Sequence, residues 1–125
     1  MNPTNFLSFT EKEEHITDIL VGLGLRRNVA RVLVYLSSTD EATSRMIERG
    51  TDLRQPEVSM AMRQLREFQW IESTESKGDN KGRPVKIYRL SRPFKEIMDF
   101  IEGEKKKDAR IQLELVQKLR EAVSV

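Results

Sequence analysis

Apolar positions in the first half of the chain recur at helical spacing. Ile16, Ile19, Leu20 and Leu23 form one stripe, and Val29, Val32, Leu33 and Leu36 form a second. Thr10-Glu11-Lys12-Glu13 has the form of a capping box, with a hydroxyl at the cap and a carboxylate three residues on. Gly22 and Gly24 end that first helix. The second stripe predicts a helix from about Asn28 to Ser37. After a polar loop, Thr43 or Ser44 caps a short third helix that turns Met46 and Ile47 inward and ends near Gly50. Thr51 to Gln55 reads as a tight turn. Pro56 then stands at a first helical position, where its missing N–H costs nothing. Val58, Ala61, Met62, Leu65 and Phe68 share one face of this fourth helix, and the other face shows Pro56, Ser59, Met60, Arg63 and Glu67.

At Trp70 the period changes. Trp70 to Glu75 reads as a strand, and Val85 to Leu90 alternates with period two. Lys77 to Pro84, between them, is dense in turn residues, so the pair is a β-hairpin with a long basic tip. From Ser91, a candidate cap, the helical period returns with Phe94, Ile97, Met98 and Ile101. A charged stretch from Glu102 to Arg110 surrounds Gly103, and Ile111, Leu115, Leu119 and Val123 resume the stripe. This predicts one long helix or two helices jointed near Gly103. The fold class is therefore mostly α with a small β-hairpin. Three regions follow: an N-terminal helix over 1–24, a mixed domain over 25–91 and a C-terminal helix over 92–125.

Charge changes this picture only through its distribution. The 125 residues are the size of one ordinary domain, and 22 Lys and Arg against 20 Asp and Glu leave a net charge of only +2. Residues 70–92, however, hold six cations against three anions. Cations concentrated on one feature bear on phosphate binding more than the total does. There is no cysteine, which excludes a disulfide framework, a thiolate metal site and a cysteine nucleophile. His15 lies among Glu13, Glu14 and Asp18, which reads as a solvated helix face rather than a metal site. No nucleophile–base pair, paired acids or phosphate-cradling glycine loop is present, so neither an enzyme nor a cofactor or metal is expected. No apolar run is long enough to span a bilayer and the N-terminus lacks a signal-peptide pattern, so the expected compartment is the cytoplasm.

One constellation remains. Ala42-Thr43-Ser44-Arg45-Met46-Ile47-Glu48-Arg49 leads to Leu53-Arg54-Gln55-Pro56-Glu57-Val58-Ser59, then to Leu65-Arg66-Glu67-Phe68 and the hairpin with Gly82-Arg83-Pro84. On these residues Leu25 to Leu90 resembles the winged helix-turn-helix transcription regulators, particularly archaeal members related to the TrmB-like, ArsR and MarR groups. The resemblance implies a winged helix-turn-helix flanked by N- and C-terminal dimerisation helices, with double-stranded DNA as partner. Its fourth helix enters the major groove, where Gln55, Pro56, Ser59, Met60 and Arg63 face the bases. Arg63 suits guanine, Gln55 adenine and Met60 a thymine methyl. Lys77, Lys81, Arg83 and Lys86 on the hairpin, and Arg45 in the third helix, are the expected phosphate contacts. Arg26 and Arg27 are weaker candidates with structural roles equally open. The chain departs from the family at Gln69-Trp70-Ile71, where Gly-Leu-Val is common, and it lacks the thiolates of metal-sensing ArsR members.

The terminal stripes exceed what one small domain can bury, and an exposed stripe marks an interface. Phe94, Ile97, Ile101, Ile111, Leu115 and Leu119 are accordingly expected to pair two copies. The expectation is a sequence-specific regulator acting as a homodimer on a palindromic operator. The alternative is a winged-helix module for protein contact within a larger assembly, and the basic hairpin favours DNA. The residues specify no small-molecule effector.

Overall fold

Caps set where the helices begin. The computed structural model describes residues 9–76 and 83–124, and the chain divides into two units, Met1–Arg92 and Pro93–Val125. Helix α1 (Glu11–Gly22) starts with the expected capping box. The Thr10 hydroxyl accepts from the Glu13 N–H at 3.0 Å, and the Glu13 carboxylate accepts from the Thr10 N–H at 2.8 Å. Helix α3 (Ser44–Thr51) is capped by Thr43, whose Oγ1 accepts from the Met46 N–H at 3.2 Å. Helix α4 (Gln55–Glu67) begins one residue earlier than the proline suggested, so Pro56 is its second residue. The Glu57 carboxylate accepts from the Arg54 N–H at 2.9 Å and steadies that start. Helix α2 (Arg27–Ser37) has no side-chain cap and is held by packing instead.

That packing is the centre of the first unit. Val29, Ala30, Val32, Leu33, Val34 and Leu36 are all buried, and α2 packs against α1, α3 and α4. Ile47 of α3 and Leu65 of α4 are fully enclosed. Val58, Ala61, Met62 and Leu65 face inward as the spacing predicts, while Phe68 does not. The helix ends at Glu67, so Phe68 leaves the inward face and stays 40% exposed, its ring centroid 4.6 Å from that of Trp70. Ile19 of α1 also remains exposed. Gly50 lies against the Tyr35 ring, and a Cβ there would run into that ring, so only glycine lets α3 approach α2 this closely. Burial, and after it the Glu13 carboxylate, raises the Tyr35 phenol above its ordinary pKa.

Arg31 ties three helices together. Its Nη2 and Nε donate to the Thr51 carbonyl at 2.7 and 3.1 Å, and its Nη1 donates to Glu14 at 2.8 Å. The guanidinium also lies over the Phe9 ring, 4.3 Å from its centroid. A cation at the last carbonyl of α3 opposes the negative end of that helix. The turn between α3 and α4 is thus fixed from behind.

Three helix ends close in left-handed backbone. After α1, the Leu25 N–H reaches the Leu20 carbonyl at 3.1 Å and the Gly24 N–H reaches Val21 at 2.9 Å, with Gly24 at φ 111°. After α4, the Trp70 N–H reaches Leu65 at 3.1 Å and the Gln69 N–H reaches Arg66 at 2.9 Å, with Gln69 at φ 64°. Both are Schellman closures. Asp52 takes φ 59° after α3, and the Leu53 N–H returns to the Glu48 carbonyl at 3.2 Å. Gln69 therefore occupies a position that glycine would suit and adopts the left-handed backbone, at a cost of roughly 1–2 kcal/mol for a residue with a Cβ.

Strands β1 (Ile71–Ser76) and β2 (Val85–Leu90) pair antiparallel, in register from Ile71 opposite Leu90 to Ser76 opposite Val85. Ala42, just before α3, adds one rung to the outer side of β2: its N–H donates to Tyr88 at 2.9 Å and the Tyr88 N–H donates back at 2.8 Å. Ser91 is not a helix cap. Its hydroxyl donates to the Gln69 carbonyl at 2.7 Å and its N–H to the Trp70 carbonyl at 2.8 Å, which holds the left-handed turn in place.

The second unit is one unbroken helix, α5 (Phe94–Val123), with Pro93 at its cap. At 30 residues it extends about 45 Å. No joint forms at Gly103, where a Cβ would meet open space and strong helix formers surround the glycine. Lys106 pairs with Glu102 at 3.1 Å on an exposed face. Two of the residues expected to pair copies of the chain, Ile97 and Ile101, are buried, which removes them from any exposed stripe. Phe94 is half-buried, and Ile111, Leu115 and Leu119 are exposed together with Leu113, Val116 and Val123. Among the described residues no helix is long and apolar enough to cross a membrane.

Candidate nucleic-acid interface

Burial of Val58, Ala61, Met62 and Leu65 fixes the rotation of α4 and so decides which residues it shows. Gln55, Pro56, Ser59, Met60 and Arg63, the five expected base contacts, are all exposed. Met60 is the most prominent apolar member, at 64% exposure. Gln55 is already engaged: its Nε2 donates to the Ser59 hydroxyl at 2.7 Å. A bidentate contact to adenine has to exchange that bond. Arg63 makes no ion pair among the described residues, so its guanidinium fork is available.

Two concavities flank this face. On one side α3, α4 and β2 enclose about 220 Å³, lined by Ser44, Val58, Ser59, Met62, Arg63, Arg66, Lys86 and Tyr88. On the other side α4 and the start of α2 enclose about 290 Å³, lined by residues that include Arg26, Val29, Pro56, Glu57, Met60, Arg63 and Glu67. The first contains no carboxylate and the second contains two. Arg66 was not among the expected contacts, although Ser59, Arg63 and Arg66 already stand at i, i+4 and i+7 in the sequence. What the spacing lacked was the hairpin, whose register brings Lys86 to the same side.

The hairpin carries Arg83 and Lys86 exposed near its outer end. Lys77 and Lys81, also expected there, lie outside the described residues. Arg45 is exposed on α3. Arg27 is a structural residue in α2, paired with Asp18 at 2.8 Å, whereas Arg26 lines the larger concavity. Arg89 braces the base of the hairpin, with Glu41 at 3.2 Å and Glu72 at 3.7 Å. His15 is exposed, and no group of three or more metal-ligating side chains exists among the described residues.

A helical core, a tight turn into an exposed helix and an antiparallel hairpin beside it define a known arrangement. The fold is the winged helix-turn-helix. A possible transcriptional regulator from Methanosarcina mazei Go1 superposes with a TM-score of 0.63 at 19% identity, covering 86% of each chain. TrmBL2, an archaeal chromatin protein, superposes at 0.66 with 16% identity over 90% of this chain, which spans 40% of that protein. The S. aureus MepR–DNA complex superposes at 0.52 with 19% identity, covering 89% of this chain and 92% of that one. No known family model matches the sequence, and no curated protein does. At these identities the likeness establishes the winged-helix fold and its order of elements.

Proposed function

We propose that this chain is a sequence-specific DNA-binding transcription regulator that acts as a homodimer on a palindromic operator. The observation that carries the reading is the exposed stripe Gln55, Pro56, Ser59, Met60 and Arg63 on a helix whose opposite face is locked into the core. A helix presented in this way fits the major groove, with its first three turns against base edges. The hairpin beside it supplies Arg83 and Lys86 for flanking phosphates. MepR, which has the same fold, was solved as a complex with DNA.

The homodimer rests on α5. Ile111, Leu115, Leu119 and Val123 recur every four residues and are exposed, more apolar surface than a solitary helix usually leaves in water. Two-fold pairing would set two α4 helices about one DNA turn, roughly 34 Å, apart. The test is selection from random duplex DNA with purified protein, together with sedimentation of the free protein. Enriched inverted repeats and a mass twice that of the chain are expected. A monomer that enriches no sequence would overturn the reading in favour of a protein-contact module.

A further inference from the structure

The smaller concavity beside α4 has a composition unlike its surroundings. Ser59, Arg63 and Arg66 line its α4 wall, Ser44 at the start of α3 forms a second wall, and Lys86 of β2 forms the third. The hairpin register explains the last. Ile71, Tyr88 and Lys86 lie on one side of the sheet, and the first two are buried. Lys86 is therefore carried on the core-facing side, toward α4. The result is three cations and three hydroxyl-bearing residues, Ser44, Ser59 and Tyr88, with no carboxylate in the lining. Among the described residues none of the three cations forms an ion pair, and Glu75, opposite Lys86 across the strands, makes none with it.

Like charges brought together with no acid in the lining raise the local potential for an anion. The donors are of the kind that phosphate oxygens accept from: guanidinium forks, an ammonium and hydroxyls. We infer that this concavity is a phosphate-binding site, distinct from the hairpin tip, that seats one phosphodiester of the duplex backbone, with Arg66 and Lys86 as its principal donors and Ser44 as a further one. The inference rests on the DNA-binding reading above. The site is open and its cations are exposed, so a free phosphate would keep most of its hydration. A polyanion gains in addition from the counterions it releases. With one phosphate pinned between α3, α4 and β2, the rotation of α4 in the groove is set, and with it which bases Gln55 and Arg63 meet.

The experiment uses the full chain and one duplex obtained by selection, carrying a single neutral methylphosphonate moved along the backbone. Affinity is measured for wild type, Arg66→Gln, Lys86→Gln and Ser44→Ala across a range of salt. The expected result is one position per half-site where the neutral group weakens wild type and lowers the slope of log affinity against log salt by about 0.9. At that position the same group weakens Arg66→Gln and Lys86→Gln less than it weakens wild type, because each variant has already lost one of the two donors. Additive losses at every position would overturn the inference while leaving the DNA-binding reading intact. Failure of the wild type to bind any duplex would overturn that reading instead. A parallel titration with inorganic phosphate separates the remaining source: saturable shifts of the Arg66 and Lys86 resonances below millimolar phosphate would assign the site to a free phosphate and overturn the backbone assignment. Both side chains are exposed, so an unchanged melting midpoint checks that each variant is folded.

Discussion

The two sides of α4 are built from one helix and differ in charge, one basic and the other balanced. Toward α3 and β2 the lining carries Arg63, Arg66 and Lys86 and no acid. Toward α2 it carries Arg26 and Arg63 against Glu57 and Glu67, with Val29, Met60 and Ala61 as apolar wall. A helix lying in a DNA groove has a phosphate strand on each side of it. On the proposed reading, this one holds tightly on the hairpin side and loosely on the α2 side. The difference teaches that affinity and orientation can come from one flank, while the residues between the flanks read bases. Arg63 lines both concavities, and on the proposed reading it faces the bases between them.

The largest effect should come from reversing the basic flank. Arg66→Glu combined with Lys86→Glu puts like charge against the backbone and should cost roughly 3 kcal/mol or more of duplex affinity. The electrophoretic or fluorescence titration that measures this should find selected and random duplexes weakened alike. A loss confined to the selected duplex would make these residues base readers and break the comparison. Next, Arg63→Ala should cost roughly 1–3 kcal/mol per half-site and relax base choice at one position. Repeating the selection with the variant checks this, and an unchanged preference removes Arg63 from the reading face.

A smaller effect serves as the control. Gln69→Gly relieves the left-handed strain at the end of α4 and should stabilise the fold by about 1 kcal/mol, seen as a higher urea midpoint, with affinity unchanged. An altered affinity would mean that the seating of the helix, not the charge of its flanks, governs binding. Smallest of all, Glu67→Gln on the balanced flank should raise affinity by a few tenths of a kcal/mol, because an exposed charge is largely screened. A gain as large as the loss from the basic flank would make the two sides equivalent.

Much of this was legible in the sequence, and the exceptions have local causes. Helical period placed the inward faces of α2 and α4, and the shift to period two placed the hairpin. The exposed stripe on α4 followed from the inward one, because a helix that buries Val58, Ala61 and Leu65 must show Ser59 and Arg63. Phe68 and Ser91 departed from expectation together. The left-handed turn at Gln69 takes Phe68 out of the helix and recruits the Ser91 hydroxyl to its carbonyl. Neither effect has a local sequence signal once glycine is missing from the turn. Ile97 and Ile101 fit the same stripe as Ile111 and Leu115 by spacing, and spacing does not separate the buried positions from the exposed ones. Arg66 needed the hairpin register before its neighbours were known.

The single rung between Ala42 and Tyr88 has a further consequence, for local opening. Its two hydrogen bonds join the segment that leads into α3 to the middle of β2, elements far apart along the chain. An amide donates from each partner, so neither can exchange with solvent until the rung parts. The Ala42 and Tyr88 amides should therefore show one common protection against deuterium exchange, relative to each amide's own unprotected rate. That protection measures how readily the hairpin lifts from the helices, and DNA held across α3, α4 and β2 should raise it at both amides together.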